Sequence, residues 1–433
     1  MAQIEQLYQH YLKHPVICTD TRSISEGCLF FALKGDKFDA NQFAGKAVAA
    51  GAAFAIIDHP DFAKGDQFIL VDDVLSTLQA LAKHHRKQLQ IPVIGLTGSN
   101  GKTTTKELIR AVLAEKFEVF ATKGNLNNHI GVPLSILSIT HNIEIAVIEM
   151  GANHQKEIEL LSAIAQPSHG LISNVGMAHL EGFGGFEGVK KGKAELYAYL
   201  KESNGYAFLN AANKDLCEMA QQADLKNIIR YNVAEQGSVQ GVLKHSDPLI
   251  AFEWSFEGKT YEGKANLTGT YNFENILAAI SIGCFFKLSP EEINKGLADY
   301  FPNNNRSQLT KTAKNTLICD FYNANPSSMI AAITNLNSLT ATNKVAILGD
   351  MFELGDESLE QHKRIIELAL QNDIGTLLFV GQHFYNAKGD FNAKFFTTPT
   401  EASAFIQTQD WEDSLILLKG SRGMALEQLL PLL

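Results

Sequence analysis

Residues 95–109 read GLTGSNGKTTTKELI, with glycines, a lysine and a run of threonines between an apolar stretch and a helix-like one. Such residues bind phosphate. Gly98 and Gly101 let the backbone turn and aim its N–H groups at an anion. A helix starting just beyond them adds the partial positive charge of its N-terminus. The Lys102 ammonium reaches the outer phosphates of a nucleotide, and the Thr103 hydroxyl is an oxygen ligand suited to Mg2+. The candidate nucleotide-binding residues are therefore Gly98, Ser99, Asn100, Gly101, Lys102, Thr103 and Thr104. The commonest phosphate loop has glycine five positions before Gly101, where this chain has Leu96. The loop is thus a shortened form. A glycine-rich connection with a chance lysine is the plainer alternative, and it leaves N-G-K-T-T-T at this junction unexplained.

Other positions add metal and nucleotide chemistry. Glu149, in AVIEMGANHQ, ends a candidate strand, where a carboxylate can hold or orient Mg2+ across from the loop. Strand-end glutamates are common, so position alone decides nothing. His179, in NVGMAHLEGFG, reads by residue type as a cap or a packed side chain. Lys193, in KAELY, reads as a surface lysine, with Lys190 and Lys191 nearby. Asn272 and Asn275 open a helix on neighbouring faces. Their amides can donate and accept toward a purine edge, and Asn272 can also cap the helix. Arg306 offers a fork to phosphate oxygens. The stretch ICDFYNANPSSMIAAI (318–333) supplies Asp320, Tyr322, Asn323 and Asn325, and NANPSS is also a turn and N-cap.

Together these motifs resemble the Mur ligases, an ATP-dependent amide-bond ligase family related to the folylpolyglutamate synthetases. G-S-N-G-K-T after Thr97 is similar to the short ATP loop of that family. The resemblance implies that Glu149 and His179 serve a metal site and that Lys193 is carbamylated. A bare ammonium would repel a cation, whereas its carbamate could ligate one. Up to two Mg2+ ions would sit among Thr103, Glu149, His179 and carbamylated Lys193. Asn272 and Asn275 would contact adenine, Asp320 the ribose and Arg306 the phosphates. Lys102, Lys193, His179 and Arg306 form the implied catalytic set, acting by positioning and charge neutralisation without a covalent enzyme intermediate. Lys156 replaces a glycine the family usually carries, away from the metal residues.

Within the family, D-F-Y-N-A-N-P-S-S, ILGDMFELGDES with His362 downstream, and LLKGSRGMALE (417–427) resemble one member. That member adds D-alanyl-D-alanine to a UDP-N-acetylmuramoyl-tripeptide in peptidoglycan precursor synthesis. The implied partners are those two substrates and ATP, with Tyr322, Asn323 and Asn325 lining the site. The implied route is an acyl phosphate attacked by the dipeptide amine. D-T-R and G-C-L-F-F-A-L-K-G resemble the UDP-sugar domain, with Thr21, Arg22 and Asn41 as candidate contacts. The usual D-G-H-x-F is D-A-N-Q-F here (39–43), so Asn41 stands where histidine is expected. The rival readings are a sister ligase adding a single amino acid and a nucleotide switch without ligase activity. A guanine switch would carry N-K-x-D, whereas NKVA (343–346) has Ala346 in place of the aspartate.

These residues need sheets to position them. Candidate strands are 28–33, 53–58, 68–73, 92–98, 144–151, 169–176, 316–322, 344–350, 375–381 and 414–420. Their apolar runs do not alternate, which fits parallel strands buried on both faces. Residues 248–272 alternate around Gly258 and read as an antiparallel hairpin or meander. Polar seams at 84–95 and 301–315 divide the chain into three α/β domains: 1–90 for the UDP-sugar, 91–308 for ATP and 309–433 for the dipeptide. The expected architecture is an N-terminal α/β domain, a central P-loop ATPase-like parallel sheet with appended antiparallel strands, and a C-terminal Rossmann-like domain.

The bulk numbers exclude other classes. The chain has 433 residues and a net charge of −10, unlike the basic stripe of a nucleic-acid binder. No apolar run reaches the roughly 18–20 residues needed to span a bilayer, and the N-terminus lacks signal-peptide character. Five cysteines without C-x-x-C spacing fit packing in a reduced, cytoplasmic protein. A monomer is expected.

Overall fold

The computed structural model describes residues 2–35 and 37–433. Every candidate strand forms with shifted bounds: 169–176 becomes His169–Ile172, 144–151 becomes Ile145–Glu149, and 344–350 becomes Asn343–Gly349. The chain leaves the sheet at those ends to build the site.

The N-terminal sheet is parallel, in the order Ile17–Cys18, Leu29–Phe31, Phe54–Ile57, Phe68–Leu70. The central sheet has six parallel strands, in the order Asn227–Tyr231, Tyr206–Asn210, His169–Ile172, Val93–Thr97, Ile145–Glu149, Val119–Ala121. Leu96 pairs with Glu149 and Thr97 with Ile172. The phosphate loop, Glu149 and the segment leading to His179 therefore leave the same sheet edge side by side, where parallel sheets bind ligands. The meander is three-stranded: Gln240–His245 joins Ile250–Phe256 and Lys259–Ala265. The C-terminal sheet runs Gln308–Lys311, Thr316–Asp320, Ser414–Lys419, Asn343–Gly349, Thr376–Val380, Lys394–Phe396, with only the first strand antiparallel.

Both polar seams carry structure. The 301–315 stretch contains the edge strand Gln308–Lys311, whose mostly polar, partly exposed residues read as a linker. The 84–95 stretch is pinned rather than loose. Arg86 is buried and donates to the carbonyls of Leu89, Ala165 and Gln166 at 2.7, 2.9 and 3.1 Å. Tyr11 donates to the Leu137 carbonyl at 2.6 Å, and one apolar core runs from Leu7 through Leu225. The N-terminal sheet thus shares a core with one face of the central sheet. Among the described residues, no helix is long and apolar enough to cross a membrane.

Candidate functional site

The phosphate loop turns at two glycines that nothing else could replace. Gly98 has φ +146°, and a Cβ there would lie 2.0 Å from Ser173 Oγ. Gly101, at φ +75°, caps the helix Lys102–Leu113, and its Cβ would lie 2.8 Å from Asn275 Oδ1. Ser99 and Asn100 brace the loop. Ser99 Oγ donates to the Gly176 carbonyl at 3.1 Å and accepts from its N–H at 2.9 Å. The Asn100 N–H donates to Asn174 Oδ1 at 2.9 Å, and Ser173 Oγ donates to the Asn100 carbonyl at 2.6 Å. Lys102 Nζ folds onto the carbonyls of Gly98 and Ser99, at 2.6 and 3.2 Å. Burial first, and Arg306 second, push its pKa down to about 8 against the pull of Glu149. An ammonium held only by carbonyls of its own loop has no anionic hydrogen-bond partner to give up when phosphate arrives.

Glu149 is buried behind the loop. Its Oε1 accepts from Thr103 Oγ1 at 3.3 Å and Asn127 Nδ2 at 2.8 Å. Its Oε2 is buried with no hydrogen-bond partner, and Lys106 Nζ stands 3.9 Å away. A buried carboxylate oxygen without a donor is costly, and a cation would satisfy it. Among the described residues, no group of three or more His, Cys, Asp or Glu side chains could hold a metal. That donor set suits Mg2+, which commonly takes one or two carboxylates and fills its shell with water and phosphate oxygens.

Lys193 overturns the surface reading: it is 1% exposed. It shares the inner face of the helix Phe186–Glu202 with Val189, Gly192, Leu196, Tyr197 and Leu200. Nζ donates to the Ala152 carbonyl at 3.4 Å and sits 5.0 Å from the centre of the Phe183 ring. Burial, then the charge of Lys102, push its pKa down to about 7, while Glu157 and Glu195 oppose. By contrast, Lys190 pairs with Asp215 at 2.5 Å and Lys191 is exposed. His179 caps the short helix Leu180–Phe183 with φ 54°, but its side chain makes no capping bond. Its Nδ1 meets the carboxylate of Glu353, which the His179 partner holds below the usual carboxylate pKa.

The C-terminal sheet closes the other wall. Asn325 caps the helix Pro326–Ser338 in a capping box with Ser328. Its Nδ2 donates to Asn100 Oδ1 at 2.8 Å, while Asn100 Nδ2 donates to Ser327 Oγ at 2.9 Å. The phosphate loop is therefore bonded directly to the C-terminal domain. The Arg306 guanidinium lies 3.9 Å over the Tyr322 ring. Asp320 accepts from Lys419 Nζ at 2.7 Å and the Ser307 N–H at 3.2 Å. The Asn323 side chain accepts from the Ala324 N–H at 2.9 Å. Asn272 is not the helix cap: Tyr271 holds that position, and Asn272 Nδ2 turns to the Thr268 carbonyl at 2.8 Å. Asn275 Nδ2 donates to Asn272 Oδ1 at 2.9 Å, and its Oδ1 accepts from Thr105 at 3.0 Å.

A cavity of about 830 Å3 lies between these walls, lined by Ser99, Asn100, Gly101, Lys102 and Thr104 of the loop and by Glu149, His179, Asn272, Asn275, Arg306, Asp320, Tyr322, Asn323 and Asn325, whereas Gly98, Thr103 and Lys193 are not in its lining. Its lining starts at Ser99, so Thr21, Arg22 and Asn41 lie outside it. Arg22 is exposed and forks onto its own Asp20. Asn41 departs from an open contact role: it is fully buried, donating to Asp39 and Asp58 at 2.7 and 2.8 Å and accepting from the Asp58 N–H at 3.1 Å. Its amide is saturated by the loop it shapes. The sequence reading missed Asn127, Asn174, Lys106, Ser327, Lys419 and Glu353. Ser327, Glu353 and Lys419 lie inside motifs already quoted (NANPSS, ILGDMFELGDES and LLKGSRGMALE), and Asn127 lies in the asparagine-rich NLNNH before a helix.

Three family profiles match the chain: "Mur ligase family, catalytic domain" over residues 15–97, "Mur ligase middle domain" over 96–283, and "Mur ligase, glutamate ligase domain" over 305–422. The chain is 36% identical to the UDP-N-acetylmuramoyl-tripeptide–D-alanyl-D-alanine ligase of Bacillus subtilis (strain 168), covering 98% of this chain and 93% of that one. It is similar to a crystal structure of MurF from Acinetobacter baumannii, with a TM-score of 0.90, 32% identity and coverage of 99% and 97%. It is also similar to the MurF ligase of Thermotoga maritima in complex with ADP, with a TM-score of 0.85, 27% identity and 96% of each chain covered.

Proposed function

Because the chain belongs to the Mur ligase family, we propose that it joins D-alanyl-D-alanine to UDP-N-acetylmuramoyl-tripeptide at the expense of ATP, in peptidoglycan precursor synthesis. One observation supports this most: the segment carrying Y-N-A-N-P-S-S bonds Asn100 of the phosphate loop through Asn325 and Ser327. The stretch most like the dipeptide-adding member is thus bonded to the loop read here as the ATP loop.

A carboxylate is a poor electrophile, so amide formation needs activation. The tripeptide carboxylate attacks the γ-phosphorus, giving an acyl phosphate and ADP. The dipeptide amine then attacks the acyl carbon, and phosphate leaves as the amide forms. The residues position the reactants and offset charge. Lys102 leaves its loop carbonyls for the phosphates. Arg306, stacked on Tyr322, holds a guanidinium at the joint beside Asp320. Asn272 and Asn275 support the back of the loop and the purine side. Thr103 and Glu149 would hold Mg2+, with His179 and carbamylated Lys193 serving a second ion. Bound Mg2+ supplies positive charge where phosphate and carboxylate converge. Lys193 suits carbamylation because a neutral amine attacks CO2, losing a proton to solvent, and its burial favours the neutral amine. His179 would exchange Glu353 for a cation.

We place the domains at 1–90, 91–308 and 309–433, with Thr21 and Arg22 toward the UDP-sugar. We further infer a cytoplasmic monomer. Phosphate release should be fast with UDP-muramoyl-tripeptide and D-alanyl-D-alanine, and near background with single amino acids as acceptors. Preference for a single amino acid would assign the chain to a sister reaction.

A further inference from the structure

We propose that Glu353 binds the ammonium group of the incoming dipeptide, a role that rests on the ligase reading above. Among the described residues, four carboxylates line the cavity: Glu149, Glu157, Asp320 and Glu353. Three are committed elsewhere. Glu149 is engaged by Thr103 and Asn127 on one oxygen and suits a metal on the other. Glu157 Oε2 accepts the N–H groups of Asn153 and His154 at 2.6 and 3.0 Å, which closes its own loop. Asp320 is held by Lys419 and the Ser307 N–H. Glu353 alone remains about half exposed, with His179 as its hydrogen-bond partner.

The fold presents Glu353 firmly. The preceding N–H groups are each taken: that of Met351 donates to the buried His362 Nε2 at 3.1 Å, and that of Phe352 to Ser421 Oγ at 3.0 Å. Glu353 itself holds φ 63°, a conformation that non-glycine residues adopt seldom and at a cost. Gly355, two residues on, packs against the Glu181 side chain, seating this turn on the segment that carries His179. The C-terminal domain thus reaches over the central domain and delivers one carboxylate beside the candidate metal residues.

Charge placement indicates what it receives. Arg306 and Lys419 cluster with Tyr322 and Asp320, and Lys102 lies in the phosphate loop. Those cations suit phosphates and substrate carboxylates. An amine substrate enters as a cation, and Glu353, about half exposed and, among the described residues, held only by His179, is the acid placed to meet it. The role is binding and orientation: the ion pair sets the ammonium beside the place where the acyl group forms, displacing His179, and the ammonium gives a proton to solvent before its nitrogen attacks.

Steady-state kinetics of the full-length Glu353→Gln enzyme test this. The KM for D-alanyl-D-alanine should rise about tenfold or more, as expected for losing one charge-assisted contact. The KM values for ATP and UDP-muramoyl-tripeptide should stay within about twofold. Hydroxylamine, a small amine that is neutral near pH 7, should capture the acyl phosphate at the wild-type rate, which also shows that the variant folds and activates its carboxylate substrate. An unchanged dipeptide KM, or an equal loss with hydroxylamine, would overturn the role of Glu353. A wild-type enzyme that ignores D-alanyl-D-alanine would instead overturn the ligase reading beneath it.

Discussion

Lys193→Ala is expected to lose about a hundredfold to a thousandfold in kcat, and to regain part of it with acetate or formate. The size follows from removing one charged group at a phosphoryl-transfer centre. The rescue follows from the site's shape. Lys193 is enclosed by the apolar face of its helix, by Phe183 and by the Ala152 carbonyl. Truncation leaves a slot where a small carboxylate can stand in for the proposed carbamate. Loss of folding is a poor alternative explanation, because an unpaired buried ammonium is itself costly. The thermal midpoint should therefore fall little. Lys193→Arg, which cannot carry CO2, should be inactive and unrescued for lack of space. Full activity of Lys193→Ala without added carboxylate would move the metal role elsewhere.

Glu149→Gln should cost a similar hundredfold to thousandfold, with a different signature. Glutamine keeps an oxygen for Thr103 and Asn127, so the packing survives. It removes the charge from the oxygen that has no donor among the described residues. The Mg2+ concentration for half-maximal rate should rise, and excess Mg2+ or Mn2+ should recover part of the activity. Lys106, which the substitution leaves facing an uncharged amide, should add to the repulsion of a cation. An unchanged Mg2+ dependence would remove Glu149 from the metal site.

How legible was this in the chain? The strand–turn–helix junction that carries the candidate phosphate loop was legible because its signals are local: two glycines, a lysine and a threonine within six residues of one strand end. Strand existence was legible for the same reason, through unbroken apolar runs. Lys193 was misread although its signal was present. Val189, Leu196, Tyr197 and Leu200 place it on the apolar stripe of its own helix, and a lysine on such a stripe is buried for a purpose. The weak strands failed for want of contrast: Gln308–Lys311 is a partly exposed edge and reads as linker. The contacts between domains were beyond any local pattern. His179 and Glu353 are 174 residues apart, and Asn100 and Ser327 are 227 apart. Those distances close only because the C-terminal sheet docks over the phosphate loop. Asn41 belongs with them, since its burial depends on Asp58 across the N-terminal sheet. Motif resemblance marked His179 as functional without showing which group it touches.

The most direct measurement is the mass of the product. The purified chain, incubated with ATP, Mg2+, UDP-muramoyl-tripeptide and D-alanyl-D-alanine, should convert the tripeptide to a species heavier by one dipeptide less one water. One ADP and one phosphate should form for each product. ATP consumed with no such mass gain, or a gain matching a single amino acid supplied in competition, would contradict the account.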